Sequence, residues 1–178
     1  KDLTTGEVKG RRTVYETWNF IKTSIPGFEE SYLAQTAVQL GVRETRRIIG
    51  QYVLTGEDVL SCRKFDDSIA VNFGPVDIHN AKGAGVNLRA VESQDWNEIP
   101  YWCLIPNGVD NMLVAGRCVS ATFEGQAAIR IMPVCIEMGQ AAGTAAAMCV
   151  RHTVKPQELD VKELQKHLKQ QGMFIGEH

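Results

Sequence analysis

Three groups of residues in this chain could do chemistry. Arg43, Arg46 and Arg47 surround Glu44 in VRETRR. Guanidinium forks match carboxylate geometry, so the group reads as an anionic-substrate site or as a solvated turn whose local ion pairs add little stability. His79, in VDIHN, titrates near neutrality and could give or take a proton. Asp77 shares its strand face two residues away and could orient it; a hydrogen-bonded strand histidine is the alternative. Arg130 stands just before Pro133, where a helix begins. A cation beside a helix start is unfavourable unless an anion is close, and that anion is either a ligand or the carboxylate of Glu124.

The helix behind Arg130 is unusual in composition. Gly139, Ala142, Gly143 and Ala146 fall at i, i+3, i+4 and i+7 of PVCIEMGQAAGTAAAM and so share one face. Glycine costs roughly 1 kcal/mol against alanine in a helix interior, so two of them suggest that something must approach this face closely. Pro133 suits the first turn, where its missing N–H is unpaired in any case. The free amides that follow can face an anion or a polarised carbonyl. Gly116, closing the apolar run NMLVAG, would let a ligand touch backbone. Tight helix–sheet packing alone would explain the same residues.

The remaining elements follow from periodicity and caps. A helix is expected from Thr13, with a Thr13/Glu16 capping box, an apolar stripe of Val14, Trp18, Ile21 and Ile25, and a stop at Pro26–Gly27. Alternation in SYLAQTAVQL predicts a strand, and RRIIGQYVLT predicts a second in which Gly50 marks a bulge or a close approach. Thr55 and Asp58 cap a short helix. PVDIHN and VNLRAVES predict strands around the turn-rich NAKGAG, IPYWCLIP predicts another, and Asn107–Gly108 marks a turn. NMLVAG reads as a strand buried on both faces. The last helix has Asp160 and Glu163 as a capping box, Val161, Leu164 and Leu168 as its stripe, and Gly172 as C-cap.

Composition excludes several classes. Nineteen basic residues against 21 acidic ones leave a formal net charge of −2, and no basic tract suits nucleic acid. The apolar stretch Ala127–Val150 is long enough to raise a membrane span, but Arg130, Pro133, Glu137 and Gln140 are each costly in hydrocarbon. Five scattered cysteines without C-x-x-C or zinc spacing read as buried free thiols of a reducing, cytoplasmic compartment.

Taken together, LGVRETRRIIGQYVLTGEDV, DIHN, IPYWCLIP, GVDNMLVAGRCVSATFEGQAAIRIMPVCIEMGQAAGTAAAM and DVKELQKHL resemble the C-terminal half of the FAD-dependent oxidoreductases of the glutathione-reductase-like flavoprotein class. The resemblance implies an α+β chain. Residues 1–105 would form part of a mainly antiparallel substrate domain. Residues 106–178 would form the strand–helix return of a Rossmann-like FAD domain and the terminal helix. It implies that Ala115, Gly116 and Arg117 lie against the flavin's ribityl and phosphate region, that Ile131, Met132 and Pro133 open the helix facing the isoalloxazine, and that the Gly139 face packs into the FAD domain. Hydride transfer from an organic substrate to flavin would follow, with His79, Arg43 and Arg130 as candidate catalytic residues. No G-x-G-x-x-G follows a strand, and KGAGVN is not one. The expectation is therefore a chain whose partner is a missing N-terminal half of the same protein, with little or no FAD binding alone. The other reading is a non-catalytic α+β binding domain that keeps the scaffold, whose exposed apolar face could equally pair with a second copy.

Overall fold

The computed structural model describes residues 2–79, 86–89 and 95–176. The NAKGAG turn and the end of VNLRAVES lie outside them. The chain forms two compact units, Lys1–Val42 and Arg43–His178, and the boundary expected near residue 106 falls inside the second.

The first unit is built on α1, Asp2–Ser24. Its start differs from expectation: Thr13 is interior rather than a cap, because no proline or cap interrupts the preceding residues and two i,i+4 pairs carry the helix through. Glu7 lies 3.9 Å from Arg11, and Glu16 lies 2.9 Å from Arg12. The stop after Ser24 is as expected, with Gly27 at φ 91°. SYLAQTAVQL forms no strand. It runs as an irregular segment tied to α1 by Arg11, which donates to Thr36 Oγ1 at 3.0 Å and to the Val38 carbonyl at 3.3 Å, and by Leu40 N–H donating to Glu7. Alternation alone cannot hold a strand when no ladder receives its amides, and Val38 is left 92% exposed.

The second unit centres on β1 (Ser68–Asn72), buried throughout and paired antiparallel with β4 (Asn97–Pro100), Ala70 opposite Ile99. A second antiparallel pair, β2 (Val76–His79) and β3 (Val86–Arg89), sets Asp77 opposite Leu88. The α+β class is as expected. Helix α4, Met132–His152, packs on β1 and on α5, Val161–Gln170, and α5 also touches β1. Val134, Met138, Ala141, Ala145 and Met148 of α4 join Leu164 and Leu168 of α5 in one core.

Thr55 and Asp160 cap helices as their residues predict, but the Asp160–Glu163 box does not close and Gln171 rather than Gly172 is the C-cap of α5. Thr55 and Asp58 exchange both bonds of a capping box at α2, Gly56–Leu60. Asp160 accepts from Lys162 N and Glu163 N at the start of α5, while the Glu163 carboxylate turns instead to His152 and His167, 3.7 and 3.8 Å away. Gly172, at φ 85°, follows the end of α5.

Three further expected strands are not regular throughout. Residues 46–55 lie extended between two segments: Gln51 N–H donates to Ile105 O at 2.9 Å and Leu54 N–H to Ser120 O at 3.2 Å, with isolated bridges at Gly50–Pro106 and Leu54–Ala121. The Gly50 reading resolves to close approach, since a Cβ there would sit 2.8 Å from Ser120 Cβ. IPYWCLIP enters β4 and then tightens into a 3-10 turn at Tyr101–Leu104. Asp67 causes this, taking Tyr101 N–H on its backbone oxygen at 2.9 Å and Trp102 N–H on its carboxylate at 3.2 Å. NMLVAG is irregular, and Met112 is exposed. Among the described residues no strand flanks it, so it lacks the ladder that a buried strand requires.

Of the small face of α4, Ala142 packs against the core, but the two glycines do not. Gly139 and Gly143 are exposed, and a Cβ on either would meet nothing within 4 Å. Gly143→Ala is therefore expected to raise the stability of this chain by about 1 kcal/mol, the helix-propensity difference alone. Urea unfolding would check this; a loss instead would mean that something already lies against this face.

Candidate functional site

Arg130 occupies a corner between two helices. It is the C-cap residue of α3, Phe123–Ile129, a helix missed in the sequence although Thr122 caps it through Gly125 N–H. The carboxyl end of α3 carries partial negative charge, which offsets the unfavourable amino end of α4 on its other side. The anion that completes the balance belongs to this chain, and it is not Glu124. Arg130 Nη1 meets Glu44 Oε2 at 2.8 Å, and its Nη2 donates to the Asp77 carbonyl at 2.8 Å, with the Asp77 carboxylate at 4.0 Å. The guanidinium is 9% exposed. Glu44 is shared, accepting from Arg47 at 3.1 Å through its other oxygen. The cluster in VRETRR thus divides: Glu44 and Arg47 enter a part-buried network, while Arg43 and Arg46 stay exposed.

Beside this corner lies a cleft of about 560 Å³. Its walls include Arg43, Asp77, Leu88, Arg130 and the start of α4 from Ile131 to Pro133. The amino end of α4 has no side-chain cap, since Ile131 as N-cap accepts nothing through its side chain and Pro133 fills the first turn. Met132 is 75% exposed. Among the described residues no side chain caps the end of the helix, and Ile131, Met132 and Pro133 line the cleft.

The structure therefore brings Arg43, Arg130, Ile131, Met132 and Pro133 to one place. Gly116 opens a 3-10 turn at Gly116–Cys118, with φ 83° and open space where a Cβ would be. This turn packs on α4. Burial pushes the Cys135 thiol up, and the charge of Arg117 opposes that rise. Gln126 steadies the turn, its side-chain amide donating to Arg117 O at 3.2 Å. Ala115 packs against the core from the preceding residue. Gly139 lies on the open side of α4, two turns from its start. His79 ends β2, two residues beyond Asp77, and its side chain lies outside the described residues.

Several residues missed in the sequence matter here. Glu44 was considered only as the arginines' neighbour, and its contact with Arg130 spans 86 residues. Gln126 gave no sequence signal beyond its place in an apolar run. All five cysteines are free; Cys118 is exposed and Cys135 partly so, against the expectation of uniformly buried thiols. Among the described residues no cluster of His, Cys, Asp or Glu could hold a metal, and no helix is long and apolar enough to cross a membrane.

This chain belongs to the FAD dependent oxidoreductase family, whose model matches residues 1–168. No curated protein and no solved structure matches it. The family binds FAD; the corner at α4 offers an amide end without a side-chain cap, the exposed residues Ile131, Met132 and Pro133, and an arginine already engaged by Glu44.

Proposed function

We propose that this chain supplies the substrate surface and the flavin-facing helix of an oxidoreductase of the glutathione-reductase-like class, which moves a hydride from an organic substrate to FAD. The uncapped amino end of α4 opening onto the Arg43–Arg130 cleft carries the reading. Bound FAD supplies the hydride acceptor. The chain's own residues supply orientation and charge. Ile131, Met132 and Pro133 present backbone to the ring, and the amide end of α4 stabilises negative charge developing near them. Ala115, Gly116 and Arg117 line the adjoining approach. Arg130 acts by position, holding β2 against the corner between α3 and α4. His79, two residues beyond Asp77 in the sequence, is assigned the role of proton donor or acceptor for the substrate, because an imidazole titrates near neutrality.

The pyrophosphate grip comes from an N-terminal dinucleotide-binding half, because these 178 residues hold no G-x-G-x-x-G. That half would dock on the open Gly139–Gly143 face, where absent side chains allow close approach. Joined to it, the protein is expected to purify with stoichiometric FAD and to bleach anaerobically with an oxidisable organic substrate. The 178 residues alone are expected to bind FAD weakly or not at all. A colourless assembled protein, or a stoichiometric yellow complex of this chain alone, would overturn the reading.

A further inference from the structure

The charges around the cleft do not cancel. Arg130 is engaged by Glu44 at 2.8 Å and by the Asp77 carbonyl at 2.8 Å, and Glu44 also holds Arg47 at 3.1 Å. Among the described residues at this corner, the guanidiniums of Arg43, Arg47 and Arg130 stand with the carboxylates of Glu44 and Asp77. The excess cation is Arg43. It lines the cleft, is exposed, and has no ion-pair partner among the described residues. The rest of the lining is largely apolar, with Pro75, Leu88, Ala127, Ala128, Met132 and Pro133. A cleft of about 560 Å³ falls within the ordinary size range of small-molecule sites.

We infer that this cleft takes a monoanionic, otherwise apolar organic carboxylate, with its carboxylate on Arg43. The inference rests on the cleft being the substrate site of the flavoprotein reading and deepens it by naming the substrate class. A planar guanidinium binds one carboxylate through two parallel N–H···O bonds. A dianion is disfavoured twice: Asp77 puts a carboxylate in the same wall, and the apolar lining gives a second charge no partner against desolvation. A cation would find one carboxylate among the described lining residues, that of Asp77, already engaged by Arg130 at 4.0 Å. A neutral ligand would leave Arg43 uncompensated.

The probe pair is benzoate and benzamide, nearly equal in shape and different in charge. Binding is followed by backbone-amide NMR shifts of the isotopically labelled chain, read at Leu88 and Met132, without flavin. Benzoate is expected to bind saturably and benzamide at least about tenfold more weakly, the scale of a charge-assisted hydrogen bond. Arg43→Met should reduce benzoate to the level of benzamide, and Arg43→Lys should recover part of the difference. Arg43 is exposed, so its variants should keep the wild-type melting temperature; if Arg43→Met does not, Arg43→Gln replaces it. Equal binding of the two probes, benzoate binding indifferent to Arg43, or no saturable binding of benzoate would overturn the proposal. Arg43-dependent benzoate binding with no FAD in the assembled protein would sink the flavoprotein reading and leave the carboxylate site. FAD with charge-blind binding would do the reverse.

Discussion

Glu44→Ala is expected to cost the second unit about 3 kcal/mol, because it strands a buried cation. Arg130 is 9% exposed and Glu44 21%, so the pair is buried on one side and reachable by water on the other. That places the loss at the lower end of the range for breaking buried pairs, still a large share of the 5–15 kcal/mol typical of whole domains. The asymmetry is as informative as the size. Arg130→Met should cost less, since Glu44 retains Arg47 at 3.1 Å and keeps access to water. The double variant Glu44→Ala/Arg130→Met should recover part of the Glu44→Ala loss, as apolar replacement of buried pairs often does. Urea midpoints for the four proteins form the cycle that isolates the coupling. Additive losses would show that Arg130 finds another partner when Glu44 is gone, and the corner would not depend on this pair.

Gly125→Ala is expected to destabilise by about 3 kcal/mol, near the upper end of overpacking penalties. In an exposed helix the same change would stabilise by about 1 kcal/mol, so the sign alone is diagnostic. Gly125 is buried in α3, and a Cβ there would lie 2.4 Å from Leu54 O and 3.1 Å from Leu54 C. Those are backbone atoms, and Leu54 O is already held by Thr122 N–H at 2.8 Å, so the strain cannot be relieved by a rotamer. Thermal unfolding beside Gly143→Ala makes the comparison: one glycine needed for close approach, one facing open space. A gain at Gly125 would mean that α3 can lift from residues 54–55, and the corner holding Arg130 would be softer than its geometry implies.

The two glycines show where sequence reasoning stopped. A glycine in a helix signals that something comes close, but not which chain segment. At Gly139 and Gly143 the pattern points to a face for close contact, yet no described residue comes within 4 Å of where their Cβ atoms would be. At Gly125, in a helix missed among apolar residues, the contact is real. Similarly, SYLAQTAVQL and NMLVAG carry strand patterns without receiving ladder partners among the described residues. Alternation specifies a face, whereas a strand exists only when a neighbour's amides and carbonyls complete it.

What the amino-acid sequence determined by itself is local or collective. The capping box at Thr55–Asp58, the Asp160 cap, the stop at Gly27, the start of α4 at Pro133 and the stripe of α5 each depend on residues within a turn or two of one another. Membership of the FAD dependent oxidoreductase family was legible as well, because many separated motifs hold one order along the chain. Only the tertiary structure decided that Glu44 rather than Glu124 neutralises Arg130, that Asp67 turns residues 101–104 out of β4, and that Arg43 alone of the cleft's arginines lacks an ion-pair partner among the described residues. Those outcomes are set by ion pairs and hydrogen bonds between positions far apart in the chain, and their free energy depends on distance and burial that no short-range pattern encodes.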